Sequence, residues 1–561
     1  MAKYGAVKAV SKTRKAEVPH RHVGAQGGGA FDYTDPVQQL LGTIGGMFFN
    51  EPTFYGENIP DARGLTEQAA DLVACMEAVA QRNPEDLLVI ANWARHELKL
   101  RATPQVALAI AAQHAKATPL PRIYACAIME RLDDMVSVLA AWKMLYGEQK
   151  TPNKSTPPPH NLLKAFRERL RKYSYYEMAK YQGGSTRPCV RDILLMVAHA
   201  GNRKPVLPLP KEEWEYWVND KPPAPETKLG TWLESRSQVT MTADVTEVMA
   251  EDIKHGGMTW ENMLSNFGNT KETWEKILDS GGPPYMALIR NLRNILAAGV
   301  SPEAINGICS RIQSGAVGSK LLPFRFYSAI REINPTNDLG LPSGPGTQTR
   351  AALFAAMESV ARSMPKLPGN TLVCVDCSGS MGQRVSEKST VSLFEAAAVL
   401  AALTSIASDT AGLVLFASKY APVATLGRGI EPVLSDMLSV GGVGSATTAQ
   451  FDIMRNLIDH KVWYDRIAWF SDFCMYQGDQ WTSHRSLGIM VEEYRQKVNP
   501  NVVIYSCNFA GYGQTSVSTI DPKTVSLGGF SERLLDYFAE FEGRGTAVPD
   551  IKALYEKWRC S

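Results

Sequence analysis

A chain of 561 residues is too long for one hydrophobic core, so two or three domains are expected. Its 45% hydrophobic and 21% charged content is that of an ordinary globular protein, and no run of about 18 uninterrupted apolar residues offers a transmembrane helix, so no membrane partner is expected. A net charge of +2 argues neither for nor against nucleic acid, while nine scattered cysteines, an odd count, suit a reducing, cytoplasmic compartment.

Residues 1–24 read as a basic flexible arm (Lys3, Lys8, Lys12, Arg14, Lys15, Arg21) without the apolar stretch of a secretory signal. From Thr66 to Ser363 the pattern is helical, with no convincing strand. Pro84-Glu85-Asp86 opens one helix with acids in its first turn, and Thr103-Pro104 opens another. Arg122–Arg131, Asp133–Tyr146, Asn161–Lys172, Pro188–His199, Ala243–His255, Pro283–Ala298 and Pro302–Gln313 continue the series. Short helix after short helix suggests stacked pairs of HEAT-like character, although no sharp period marks the repeats.

Two proline-rich segments, Thr151–His160 and Lys204–Lys228, read as loops or surface crossings. A third, Asn334–Thr347, reads as the boundary between a helical module over residues 25–346 and a second domain over residues 347–561. A helix over Gln348–Ser363 leads into that domain. Strands Leu372–Asp376, Gly412–Ser418, Ile467–Asp472 and Val502–Cys507 then alternate with helices Leu393–Ala407, Ile430–Leu438, Thr448–His460, Ser486–Gln496, Ser531–Phe541 and Pro549–Trp558. Continuous apolar strands imply a sheet covered on both faces, a doubly wound α/β fold with its site at the strand carboxyl ends.

The first of those strands runs straight into Asp376-Cys377-Ser378-Gly379-Ser380. One carboxylate and two hydroxyls, two residues apart, offer an oxygen cage for a hard cation, and Mg²⁺ takes only one or two carboxylates and keeps open positions. The pattern resembles the metal-ion-dependent adhesion site of von Willebrand factor A domains. That resemblance asks for a second carboxylate, which Asp472 supplies at the end of Ile467–Asp472. It also asks for a hydroxyl from a Gly-rich loop, here Gly441-Gly442-Val443-Gly444-Ser445-Ala446-Thr447-Thr448. Val443 stands where the family has Thr, so the hydroxyl falls to Thr447, with Ser445 and Thr448 as alternatives. The competing reading is a strand-to-helix turn rich in small residues that binds nothing. Cys374 and Cys377 bracket the Asp, but the simpler account is one small strand residue and one variable loop position.

Charge is uneven along the helical part. Between Asn161 and Lys204 ten Lys and Arg (164, 167, 169, 171, 172, 180, 187, 191, 203, 204) face three acids (Glu168, Glu177, Asp192). Such a field is the footprint of phosphate binding. Within it, Ser185 or Thr186 caps a helix with Pro188 just inside, and Arg191, Leu195 and His199 are four apart and share a face. Arg187 lies at the mouth of that helix, which with Lys180 nearby makes a ready phosphate site. Alternatively, Arg191 is a solvated charge and His199 a satisfied, partly buried histidine.

A helical module joined to a domain carrying Val375-Asp376-Cys377-Ser378-Gly379-Ser380-Met381 resembles the Ro family of RNA-binding proteins, whose helical part is the TROVE module. Gly45-Gly46-Met47-Phe48-Phe49 with Tyr55-Gly56 is similar to that family's early Gly-Gly-aromatic segment. Lys180-Tyr181 through Arg191-Asp192-Ile193-Leu194 to His199 resembles its Lys-Tyr … Asp-Leu-Leu-Arg-Leu-x-His helix. Pro284–Leu292 resembles a further segment, and Leu322-Pro323-Phe324 stands where the family has His-Pro-Phe.

The resemblance implies a ring of HEAT-like repeats whose ends are joined by the A domain. It implies small structured noncoding (Y-like) RNA on a basic outer surface, with Lys180 and His199 as contacts. Single-stranded 3′ ends of misfolded RNA would enter a central hole, and a 3′ exoribonuclease such as polynucleotide phosphorylase would be recruited. The family's intermediate basic contact falls on Gly183-Gly184, and Arg187 is its stand-in. Arg290 and Arg293 are candidates to line the ring; an internal salt bridge is the competing role for Arg290. The expectation is a non-catalytic RNA-binding protein of RNA quality control, without DNA, holding a divalent cation at Asp376, Ser378, Ser380, Thr447 and Asp472. The alternative is a metal-dependent protein adaptor with no RNA role. A nuclease is disfavoured, because a two-metal site wants a carboxylate cluster and no Ser-His-Asp or Cys-His set presents itself.

Overall fold

The computed structural model describes residues 21–23, 29–31, 35–45, 67–147, 149–151, 154–155, 157–181, 188–199, 206–319, 321–333, 343–385, 390–440, 444, 448–472, 487–509, 523–528, 534–544 and 550–560. The chain divides into two compact units. One combines Tyr33–Asn266 with Val548–Ser561, and the other combines Met1–Asp32 with Phe267–Ala547.

The first unit is helical, as its periodicity predicts. Asn83 caps the Pro84–His96 helix by accepting from the Glu85 amide at 3.1 Å, and Pro84 occupies the first position, where its missing N–H costs nothing. Leu87 to Arg95 are buried continuously, as are Thr103 to Ala112 of the Ala102–His114 helix packed against it. Helices hydrophobic all round are interior ones. At the chain's end the Ile551–Trp558 helix packs on Pro84–His96, although the sequence groups it with the α/β domain. The Tyr555 hydroxyl donates to Asp86 Oδ1 at 2.6 Å, Arg559 pairs with Glu85 at 2.8 Å, and Trp558 stacks on His96.

Several elements depart from the sequence reading. Ala243–His255 is not one helix: Asp244 takes the Thr246 amide at 2.8 Å and closes a 3-10 turn over Val245–Glu247, and the helix begins again at Ala250. Lys204–Lys228 contains the Lys211–Asn219 helix, which buries Trp214 and Trp217. The Lys228–Met241 helix has weak propensity but is capped by Thr227, and Gly230 admits the Ala224 carbonyl to within 2.2 Å of where a Cβ would stand. A minimal antiparallel pair, Gln149–Thr151 with Lys154–Ser155, interrupts the helices, and another joins Arg21–Val23, inside the expected arm, to Gly29–Phe31.

In the second unit five helices, from Lys271–Asp279 to Ser343–Ser363, precede a six-stranded sheet. Its strands are β1 Leu367–Asp376, β2 Ser408–Phe416, β3 Tyr420–Val423, β4 Arg466–Ser471, β5 Val503–Asn508 and β6 Thr524–Gly528. The order is β6-β5-β4-β1-β2-β3, parallel except for β3. The sequence reading lacked the two edge strands: β3 carries Pro422, which only an edge tolerates, and β6 is short. The Leu393–Ala407 helix forms as expected, with Ser392 and Glu395 in a reciprocal capping box. The order of strands reverses between β1 and β4, so their carboxyl ends open the crevice where such sheets bind ligands.

Arg466 begins β4 almost without exposure. Its guanidinium bonds Glu542 Oε1 at 2.7 Å, Thr371 Oγ1 at 2.7 Å and the Pro368 carbonyl at 2.6 Å. Removing one member of so buried a network strands the others, at a cost of roughly 3 kcal/mol. Arg466→Ala is therefore expected to lower the unfolding free energy of the α/β unit by that amount, measured by urea titration followed by tryptophan fluorescence; an unchanged midpoint and slope would show that the network adds nothing.

Candidate metal centre and nucleic-acid interface

The register of β1 and β4 puts Asp376 beside Ser471, because Val375 pairs with Phe470 and each strand has one residue more. Ser471 Oγ donates to Asp376 Oδ2 at 2.6 Å, and the Ser378 amide donates to Asp376 Oδ1 at 2.9 Å. Ser378 and Ser380 hydroxyls are 3.2 Å apart at the start of a 3-10 turn over Gly379–Gly382. Asp376 and Asp472 are both fully buried. Four of the five predicted ligands, Asp376, Ser378, Ser380 and Asp472, therefore lie at the ends of adjacent strands or in the loop leaving them. The fifth, Thr447, and its alternative Ser445 lie outside the described residues. Thr448 is described: its amide and that of Ala449 both donate to the Ala417 carbonyl at 3.0 Å, and Cys377 N bonds Phe416 O at 2.9 Å on the same strand end. Thr448, at the end of the Gly-rich segment, thus stands on the strand end beside the Asp376 loop. Gly444 in that segment has φ +105°, and a Cβ there would stand 1.7 Å from Ser418 Oγ, so only glycine passes.

Burial pushes the Asp376 carboxyl above its usual range; the Ser471 and Ser378 hydrogen bonds oppose this, and the like charge of Asp472 adds to it. Two buried carboxylates among hydroxyls form a donor set that suits a hard divalent cation. Ser471 was not foreseen, although the Phe470-Ser471-Asp472 ending carried the signal. Burial raises the Cys377 thiol to about 11 and raises Cys374 further, and both are free, so neither behaves as a reactive thiolate.

The basic segment is more engaged than its composition suggests. Arg169 is buried against Glu177 at 2.6 Å, Arg167 donates to the Val197 carbonyl at 2.9 Å, and Arg171 pairs with Glu168 at 2.9 Å. Arg191, Leu195 and His199 do share one exposed face of the Val190–Ala198 helix. Arg191 reaches Asp220 at 3.4 Å, and His199 Nδ1 donates to the Leu195 carbonyl at 2.8 Å, leaving Nε2 outward. Cys189, rather than Ser185 or Thr186, precedes this helix, with Asp192 taking its amide. Arg187 lies outside the described residues.

Lys180 ends the Tyr175–Tyr181 helix within 3.4 Å of both Tyr176 Oη and Glu261 Oε1. Its ammonium lies 5.7 and 5.8 Å from the Tyr176 and Tyr181 ring centres, and Arg131 lies 5.2 Å from the latter. Burial lowers the Lys180 pKa, but Tyr176 and Glu261 outweigh it and the ammonium stays above its usual value. Arg131, Tyr176 and Glu261 were not foreseen; Glu261 is 81 residues away in sequence.

In the second unit, Arg290 and Arg293 rim a groove of about 370 Å³ between the Tyr285–Ala297 and Pro323–Glu332 helices. Arg325, also unforeseen, completes the rim. Arg293 is 3.6 Å from Glu332, whereas Arg290 has no ion-pair partner among the described residues.

Comparison with known proteins matches residues 35–192 and 254–345 to the TROVE domain, and residues 371–474 to the von Willebrand factor type A domain. Telomerase protein component 1 of Rattus norvegicus is 27% identical over 316 residues, 48% of this chain. That of Mus musculus is 27% identical over 333 residues, 49% of this chain. The chain spans 12% of the length of these relatives. The crystal structure of the Deinococcus radiodurans Ro (RSR) protein superposes with a TM-score of 0.63 at 15% identity, covering 90% of this chain and 100% of that one, a likeness of fold.

Because the folded Asp376 carboxyl binds its proton more tightly than in the unfolded chain, its contribution to stability falls as pH rises through its folded value. In chelator, Asp376→Asn is expected to melt above the unsubstituted protein at pH 7.5, the gap closing towards pH 4. A lower melting point for the variant at both pH values would show that the Ser471 and Ser378 hydrogen bonds outweigh the burial.

Proposed function

Since the chain belongs to the Ro family, with a TROVE domain joined to a von Willebrand factor type A domain, we propose that it is a non-catalytic, RNA-binding ribonucleoprotein component. The pairing of these two domains in one chain is the observation that carries the reading. No helix among the described residues is long and apolar enough to cross a membrane, and the proposal places the protein in the cytoplasm.

In finer detail, a small structured noncoding RNA is contacted by Lys180, Arg191 and His199, and by Arg187. Single-stranded 3′ ends of misfolded RNA take a separate site that includes Arg290 and Arg293. The work is small-RNA stability and RNA quality control, with a 3′ exoribonuclease as the protein partner. Affinity is mainly phosphate-driven and therefore salt-dependent. Crosslinking in the native host, with RNA sequencing and protein identification from one purification, tests this directly. An abundant small structured RNA supports it, and protein partners without RNA overturn it.

Lys180 is a partly exposed cation held near Glu261. Charge reversal there, Lys180→Glu, places two carboxylates together and repels phosphate. Combined with Arg191→Glu, it is expected to weaken structured-RNA binding at least tenfold and a single-stranded tail much less, as read by filter binding at two salt concentrations. Equal losses for both ligands would merge the two sites.

The metal belongs to the proposal as well. Asp376, Ser378, Ser380 and Asp472, with Thr447 from the Gly-rich loop, would hold a divalent cation, most simply Mg²⁺, which when bound offers a vacant position to an acidic ligand. A ligand of the folded state raises its stability by mass action. Millimolar MgCl₂ is thus expected to raise the melting temperature, and Asp472→Ala to abolish the rise; an equal rise in that variant would place the ion elsewhere. One observation favours a second reading, a metal-dependent protein adaptor without an RNA role. Arg167, Arg169, Arg171, Lys180 and Arg191 all have internal partners, whereas the Asp376 loop is built and ordered.

A further inference from the structure

The groove between the Tyr285–Ala297 and Pro323–Glu332 helices has a composition that a plain phosphate contact does not require. Its lining mixes apolar Met286, Ile289 and Ala329 with polar Asn294 and Ser328. Its rim carries Arg290, Arg293 and Arg325, all exposed. Among the described residues neither Arg290 nor Arg325 has a carboxylate partner. One acid, Glu332, stands among these cations, leaving an excess of positive charge. At about 370 Å³ the space lies at the small end of ligand pockets, on the scale of one nucleotide.

A mixed polar and apolar groove edged by guanidinium groups without carboxylate partners suits a flat body with an anionic attachment. Arginine both binds phosphate through its fork and stacks its plane on a base, the usual means of holding an unstacked nucleotide. Glu332 is the element that a purely electrostatic site would omit. Its two oxygens are held by long contacts only, Arg293 at 3.6 Å and Thr390 Oγ1 at 3.3 Å, so its lone pairs remain available to a better donor.

We propose that this groove holds one nucleotide of single-stranded RNA and that Glu332 selects guanine there; the inference rests on the RNA-binding reading above. Guanine presents N1–H and N2–H side by side, a match for the two oxygens of one carboxylate. Adenine and cytosine offer one amino group beside an acceptor nitrogen. Uracil offers a single N–H flanked by two carbonyl oxygens that a carboxylate repels. The order of preference is guanine first, adenine and cytosine next, uracil last. Arg290 and Arg325 hold the flanking phosphates whatever the base.

The test uses the full chain and fluorescein-labelled nonamers of uridine, either unsubstituted or with guanosine, adenosine or cytidine at the central position, read by fluorescence anisotropy. A bidentate contact supports a preference of about fivefold or more for guanosine over uridine. Glu332→Gln is expected to erase that preference while leaving affinity for the all-uridine nonamer intact or improved. Arg290→Glu with Arg325→Glu is expected to lose every nonamer. All three positions are at the surface or its edge, and circular dichroism of each variant checks the fold. Equal affinities across the four nonamers, or a guanosine preference that survives Glu332→Gln, overturns the inference. If a structured RNA still binds while no nonamer does, the groove fails and the family reading stands; if no RNA of any kind binds, both fail.

Discussion

Two buried carboxylates at the ends of adjacent parallel strands set the terms for the α/β domain. A parallel sheet covered on both faces brings Asp376 and Asp472 out of water together, and there lost hydration first, with the like charge of Asp472 adding to it, disfavours ionisation of Asp376. Everything local responds to that cost. Ser471 and the Ser378 amide each donate to Asp376, and Ser378 and Ser380 bring hydroxyls to the same loop. Gly444 lets a second loop pass Ser418. The site stands at the reversal of strand order because only there do neighbouring loops diverge and leave space above the sheet. On the proposed metal-binding reading, removing water from the carboxylates is what would make a small, hard cation a better partner than solvent.

Basic residues in this protein are divided between holding the fold and facing outward, and composition does not tell the two apart. Asp134, fully buried, receives Arg95 at 3.1 Å, Arg101 at 2.9 Å and Gln105 at 2.6 Å. Arg169 likewise closes a gap between helices against Glu177. Such cations are fixed by their own partners and contribute little to an outward field. The excess of ten bases over three acids between Asn161 and Lys204 therefore overstates the surface charge. What survives among the described residues is the Arg191, Leu195 and His199 face, Lys180 between two tyrosines, and the exposed Lys164 and Lys172.

How far the sequence could be read follows the same division between local and distant causes. The Leu393–Ala407 helix was legible because its cap, its first-turn acid and its apolar run are contiguous. The Asp376 loop was legible because its spacing is two residues, and Asp472 because an apolar strand ends there. Strand β3 was hidden by Pro422, a residue that argues against strand everywhere except at an edge, and edges are set by topology. The Lys228–Met241 helix was hidden because tertiary packing of Gly230 against Ala224 overrides weak propensity. Glu261 beside Lys180, and Arg325 in the lining of the same groove as Arg290, come from separate helices, and no periodicity within one segment announces them.

The two cationic sites differ in kind, and on the proposed RNA-binding reading the difference bears on how one protein would serve two forms of the same ligand. Lys180 offers a compact ammonium flanked by aromatic rings and compensated by Glu261, a point charge suited to a backbone phosphate presented by a rigid, folded partner. The groove offers planar guanidinium groups at the edge of a mixed polar and apolar lining, which gain most from a base that has left its stack. A structured RNA keeps its bases paired and meets only the first kind of site at full strength. An unpaired end has bases to spare and loses little by giving one up. On that proposal, discrimination between folded and unfolded RNA would need no moving part, because it is already present in which atoms each form leaves exposed.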